Sequence, residues 1–175
     1  MTNTHLVVMG VAGSGKSTLA AALSDKLGWV FAEGDDFHPK ANVAKMSAGQ
    51  PLDDADRWPW LDRIVEWTTG QDAQGHSKVV TCSALKRAYR DHLAAAPGRP
   101  VFLHLVGSPE LLEERMATRS GHFMPTSLLP SQFATLEPLE LGTHGEHGFT
   151  MESALPLEEQ VARVYRVVGP RESTI

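Results

Sequence analysis

The chain has 175 residues and a mass of 19.0 kDa, the size of one domain whose core stands without metal or disulfide staples. Sixteen Lys and Arg against twenty-one Asp and Glu leave a formal net charge of −5, which argues against a protein built to coat nucleic acid or an anionic membrane. The single cysteine, Cys82, excludes an intramolecular disulfide and fits a reducing cytoplasm, while no stretch approaches the roughly 20 apolar residues that span a bilayer. The segment Met1 to His5 lacks the basic region and apolar run of a signal peptide, so none is expected.

Strand-length apolar runs alternate with segments of helical period, the pattern of an α/β domain with a mostly parallel sheet. Leu6 to Met9 reads as the first strand. A glycine-rich turn follows, and Leu19, Leu23 and Leu27 then recur at helical spacing up to Gly28, a natural stop. Trp29 to Ala32 reads as a second strand, running into the polar stretch Glu33 to His38. A helix is predicted to begin near Pro59, with Trp60, Leu61, Ile64 and Trp67 on one face, and to close before Gly70. Trp58, Trp60 and Trp67 are expected in the core. Lys78 to Cys82 is a third strand, Lys86 to Ala96 a helix, and Val101 to Val106 a fourth strand. Ser108 and Pro109 open a helix expected to end at Ser120 and Gly121. Prolines and glycines weaken the pattern from Gly121 to Gly148; a weak fifth strand over Gly148 to Ser153 and a helix after Pro156 finish the chain.

Gly10, Val11, Ala12, Gly13, Ser14, Gly15, Lys16 and Ser17 match the Walker A phosphate-loop pattern, between a strand and a helix as that loop requires. Its glycines let backbone amides turn inward around an anion, and the helix N-terminus adds partial positive charge. Lys16 supplies a full charge to the terminal phosphates, Ser17 is placed to ligate magnesium, and Thr18 completes the nucleotide-binding run.

Three further clusters bear on the acceptor. Glu33 to His38 lies at the C-terminal end of a strand, the edge where open α/β sheets hold ligands. Asp35 there suits a role in orienting and deprotonating a hydroxyl, with Asp36 or Glu33 helping to hold magnesium through water; turn residues capping the next helix are the plainer alternative. Arg57, after three acids, suits a carboxylate or a surface ion pair. Lys86, Arg87 and Arg90 form a basic patch suited to an anionic substrate, and Cys82 reads as a small buried core residue. Arg115 and Arg119, one helical turn apart, stand before a break at Gly121, His122 and Phe123. That layout suits a lid over about residues 118–138 or cations placed for the helix dipole. His144 and His147 read as solvated loop residues, and the role of the stretch from Gly142 to Gly148 stays open.

These motifs together resemble the bacterial-type gluconokinases, phosphate-loop proteins related in fold to nucleoside monophosphate kinases. The resemblance rests on the phosphate loop, on Gly34 to Pro39, on Lys45 through Leu61, on Cys82 to Arg90, and on Gly121 to Phe123 followed by Gln132, Phe133, Thr135 and Leu136. It implies a three-layer fold with five parallel strands and a lid. It also implies transfer of the ATP γ-phosphoryl to the 6-hydroxyl of D-gluconate with Mg2+, feeding the pentose phosphate route, in a homodimer. Lys16, Asp35 and Arg119 would be catalytic, Arg115 and Arg119 would contact ATP, and Ser17 and Asp35 would serve the metal. Asp35, His38, Arg57, Lys86, Arg90 and His122 would line the gluconate site.

A shikimate-type kinase is the nearest alternative, but it would carry Asp, any residue, Asp where this chain has Glu33, Gly34, Asp35. A guanine-nucleotide switch would carry an Asn, Lys, any residue, Asp motif, which the sequence lacks.

Overall fold

The computed structural model describes residues 2–118, 125–142 and 145–170. Five strands, β1 (Thr4–Met9), β2 (Val30–Glu33), β3 (Lys78–Thr81), β4 (Arg99–Val106) and β5 (Gly148–Glu152), form one all-parallel sheet in the order β2-β3-β1-β4-β5. Within a residue or two these are the five predicted strands.

Both faces of the sheet are covered, so its inner strands read as continuous apolar runs. The period of two sorts β1: Leu6 and Val8 join a core layer with Leu19, Leu23 and Val164, while Val7 and Met9 join one with Trp60, Leu61 and Leu93. Helices α1 (Lys16–Leu27) and α7 (Leu157–Val168) supply the first layer. Helices α3 (Asp54–Ala73) and α4 (Arg87–Ala94) supply the second. Trp60 is buried as expected, whereas Trp58 and Trp67 only lean on that layer. Cys82 is buried, and desolvation pushes its thiol up to about 12, so it has no nucleophilic character.

Helix α2 (Lys40–Ser47), which carries too little apolar periodicity to announce itself, follows the second strand after one short turn of helix. Its Met46 packs with Leu52 and Leu128. Helices α5 (Pro109–Ala117) and α6 (Leu129–Thr135) meet the phosphate loop through Val11, Ala12, Leu112, Met116 and Leu129.

Helix α3 starts at Asp54, not near Pro59. Asp53 and Asp56 form a capping box: the Asp56 amide donates to Asp53 Oδ1 at 2.8 Å, and the Asp53 amide donates to Asp56 Oδ2 at 3.0 Å. That reciprocal cap satisfies the helix start well before Pro59, which the helix then absorbs. Arg57 is therefore a helical residue rather than one preceding a helix. Because every strand runs the same way, the segments after β1, β2 and β3 emerge on one edge, and the candidate site is built there.

Candidate active site

Three glycines shape the phosphate loop, each in the left-handed or otherwise glycine-favouring region: Gly10 at φ 146°, Gly13 at 81° and Gly15 at 93°. At two of them contact reinforces conformation, since a Cβ would stand 2.8 Å from the Leu105 carbonyl at Gly10 and 2.8 Å from the Leu112 carbonyl at Gly13. Lys16 Nζ donates to the Gly10 and Val11 carbonyls at 2.9 and 3.1 Å, which holds the ammonium against the loop it serves. The Ala12 amide donates to Gln132 Oε1 at 2.7 Å, a tie from α6 that sequence reasoning did not foresee.

Two clefts share this loop. The first, open to solvent, is lined by Gly13, Gly15, Lys16 and Ser17 together with Glu33, Asp35, His38, Arg57, Ser83 and Gln132. The second, of about 330 Å3, has Gly13, Ser14, Gly15 and Thr18 on one wall and Arg115, Ser153, Leu155 and Gln160 on the other.

In the first cleft, β2 delivers its acids at its C-terminal end. Glu33 Oε1 accepts from Ser17 Oγ and from Thr81 Oγ1, each at 2.6 Å. Gly34 must be glycine because a Cβ would fall 1.7 Å from the Thr81 carbonyl. That close approach turns the chain so that Asp35 faces the cleft while Asp36 points to solvent. His38 stacks on Trp60 with ring centroids 4.2 Å apart, and its Nε2 lies 3.9 Å from Asp35 Oδ1. Burial lowers its pKa to about 4, against the pull of Asp35 and with help from Arg57, so the ring is neutral at physiological pH.

Arg57 reaches the same cleft from α3 and is held from behind. Its Nη1 donates to the Tyr89 hydroxyl at 3.0 Å, and that hydroxyl donates to Asp54. Lys86 Nζ bonds Asp54 Oδ1 at 3.0 Å. The Tyr89 and Lys86 bonds together keep the Asp54 carboxyl below its ordinary range. Lys86 thus stands outside the cleft lining and supports the group that orients Arg57.

Arg90 is placed differently from expectation. It is fully buried and turned away from the cleft, with its guanidinium on Glu146 and on the Ala84, Leu85 and Pro138 carbonyls. A buried guanidinium requires a paired carboxylate, and Glu146 is that partner. Glu146 comes from the glycine- and histidine-rich stretch whose role the sequence left open. Arg90 thereby fixes the loop after β3, including Ala84 at φ 45°.

On the second cleft, Arg115 Nη1 donates to Ser153 Oγ at 2.6 Å and Nη2 to the Ser153 carbonyl at 3.0 Å. Ser153 Oγ in turn donates to the Ser14 carbonyl at 2.6 Å, and Gln160 Nε2 holds the Leu155 carbonyl at 3.0 Å. The segment after β5 is so fastened to the phosphate loop. Ser153 and Gln160 carry no sequence signal, because only the packing of α7 brings them there. Arg119 and His122, and with them the tip of the predicted lid, lie outside the described residues.

Among the described residues no group of three or more His, Cys, Asp or Glu gathers to hold a metal ion. The oxygens of Ser17, Glu33 and Asp35 beside the phosphate loop fit magnesium, which binds through one or two carboxylates and relies on phosphate oxygens for much of its shell.

Comparison with known proteins agrees with this layout. The profile of a family described as the AAA domain matches residues 6–139. A gluconokinase of Gluconobacter oxydans (strain 621H) is 56% identical over 132 residues, 75% of this chain and 74% of that protein. A crystal structure of an unliganded sugar kinase from a Janibacter species superposes with a TM-score of 0.88 at 48% identity, covering 94% of this chain and 93% of the other. That of a gluconokinase from Sinorhizobium meliloti 1021 superposes at 0.77 with 45% identity, covering 95% and 96%. Relatives of this identity and coverage show that the chain belongs to the gluconokinase family, within the phosphate-loop kinases.

Proposed function

We propose that the protein transfers the γ-phosphoryl group of ATP to the 6-hydroxyl of D-gluconate, giving 6-phosphogluconate. One observation carries the reading beyond kinship: the phosphate loop is the shared wall of two clefts, one with an acid and cations for an acceptor, the other open for a nucleotide. Phosphates lying in the loop would pass from one substrate to the other without either leaving its cleft.

In this mechanism the loop amides and Lys16 carry the charge of the β- and γ-phosphates, while Arg115 stands on the nucleotide side. Asp35 accepts the proton of the attacking hydroxyl. Arg57, braced by Tyr89, grips the gluconate carboxylate with paired hydrogen bonds, and His38 contributes a hydrogen bond to the polyol. Ser17 and Asp35 would hold magnesium, with Glu33 close by; the bound ion supplies neutralisation of the phosphate charge. Arg119 and His122 remain proposed partners of ATP and gluconate. A homodimer in the cytoplasm, where ATP and magnesium are at hand, completes the reading and rests on the family resemblance; sedimentation of the purified protein tests the dimer.

The experiment is a coupled assay of ADP release with magnesium-ATP and a panel of acceptors. Turnover with gluconate well above that with other sugar acids, shikimate or a nucleoside is expected. Turnover with shikimate or a nucleoside and none with gluconate overturns the reading.

A further inference from the structure

His38 stands on the acceptor side of the cleft, and what it offers a substrate depends on which ring nitrogen carries the proton. The hydrogen bonds of a neighbour answer that. Asn42, one helical turn on in α2 and itself buried, places Nδ2 2.8 Å from the backbone carbonyl of Asp56 and 3.2 Å from His38 Nδ1.

A carbonyl oxygen only accepts, so the Asn42 atom facing Asp56 must be the NH2 group; the reverse orientation would set two oxygens against each other. The same NH2 faces His38 and has no lone pair to offer. His38 Nδ1 is therefore the acceptor and carries no proton. A doubly protonated ring would point an N–H at the Asn42 NH2, so this contact also holds the ring neutral. The one remaining proton sits on Nε2, the nitrogen that faces Asp35.

We infer that Asn42 is a positioning residue for catalysis: it fixes the Nε2–H tautomer of His38, so that a hydrogen-bond donor stands beside the Asp35 carboxylate and is aimed at a hydroxyl oxygen of the acceptor. A polyol meets there one acceptor and one donor, a pairing that selects a C–OH group over a carbonyl or an amine. Stacking on Trp60 fixes the ring plane, and Asn42 fixes the proton. The part concerning the acceptor rests on the gluconate reading above; the tautomer does not.

The test begins with the unaltered protein labelled with 15N in its histidines. Two-bond 15N–1H correlation spectra are expected to show His38 with a bare Nδ1 and a protonated Nε2; a proton on Nδ1 overturns the inference. The substitution Asn42→Asp replaces the donor with an acceptor and should move the proton to Nδ1. It should raise KM for gluconate about tenfold or more, the cost of opposing two acceptors, with KM for ATP changed less than about twofold. A moved proton with an unchanged gluconate KM overturns the positioning role.

A second background separates proton placement from simple support. Phe keeps a ring to stack on Trp60 and has no ring nitrogen to carry the proton. In His38→Phe protein, whatever its own KM, Asn42→Asp should add no further rise; an equal rise in both backgrounds means that Asn42 acts only structurally. If Asn42→Asp does not fold, the spectrum of the unaltered protein decides. A bare Nδ1 in a protein that does not phosphorylate gluconate overturns the functional reading and leaves the tautomer standing.

Discussion

Asp35 and Arg90 show two fates of a charged side chain beside a ligand site. Asp35 faces the cleft beside Lys16 and His38, and Asp35→Ala should lower kcat by about a hundredfold or more, the usual range for loss of a general base, while ATP binding persists. Single-turnover kinetics with parallel nucleotide titration measures both; near-normal turnover removes Asp35 from the chemistry. Arg90 has its guanidinium committed to protein, so its importance is to stability. Glu146→Ala leaves that guanidinium buried and unpaired and should cost about 3 kcal/mol in denaturant unfolding. The same substitution at an exposed pair such as Arg163 and Glu159 should cost well under about 1 kcal/mol. The phosphate loop and the position of Asp35 facing the cleft were legible in the sequence because local spacing fixes both. Arg90 was misplaced because its carboxylate partner lies 56 residues further along the chain, in a stretch with no recognisable pattern.

At the level of elements, the strands and the amphipathic helices could be read, since β1 needs only apolar residues on two faces. Helix α3 shows the limit: acids that read as ion-pair partners for Arg57 form its cap, and the start moved upstream with them. Helix α2 escaped notice because it is short and buries only Asn42 and Met46, yet it sets Asn42 against His38 and Met46 in the wall of the first cleft. Strands β1 and β4 also bury His5 and His104, neither of which lines either cleft. Both nitrogens of His5 lack a hydrogen-bond partner. Desolvation, aided by nearby cations, lowers the two from the ordinary 6.5 to about 3 for His5 and about 4 for His104. Below pH 6.5 the unfolded chain binds protons that the folded chain refuses, so stability is greatest above that value and falls as the pH drops toward 4. The slope is up to about 1.4 kcal/mol per pH unit for each histidine. Urea unfolding between pH 7.5 and 4.5 should show that fall, and His5→Leu should flatten it; an unchanged slope in the variant removes His5 from the effect.

Taken whole, the molecule carries a net charge of −5 and yet brings Lys16, Arg57 and Arg115 to two clefts that meet at the phosphate loop. Its fold class was open to the sequence throughout, and so was the presence of Asp35, His38 and Arg57 in the first cleft, though not the placement of Lys86 and Arg90 outside it. The second cleft was not, because Ser153 reaches the loop, and Gln160 reaches Ser153, only through the last strand and helix, and their residue types say nothing alone. The central claim is that a phosphoryl group crosses the shared loop from ATP to a hydroxyl of gluconate set against Asp35. It is tested most directly by 31P and 13C NMR of the product formed from magnesium-ATP and gluconate. A single phosphomonoester whose phosphorus couples to carbon 6 is predicted; phosphate on another carbon, or ADP with only inorganic phosphate, would contradict the account.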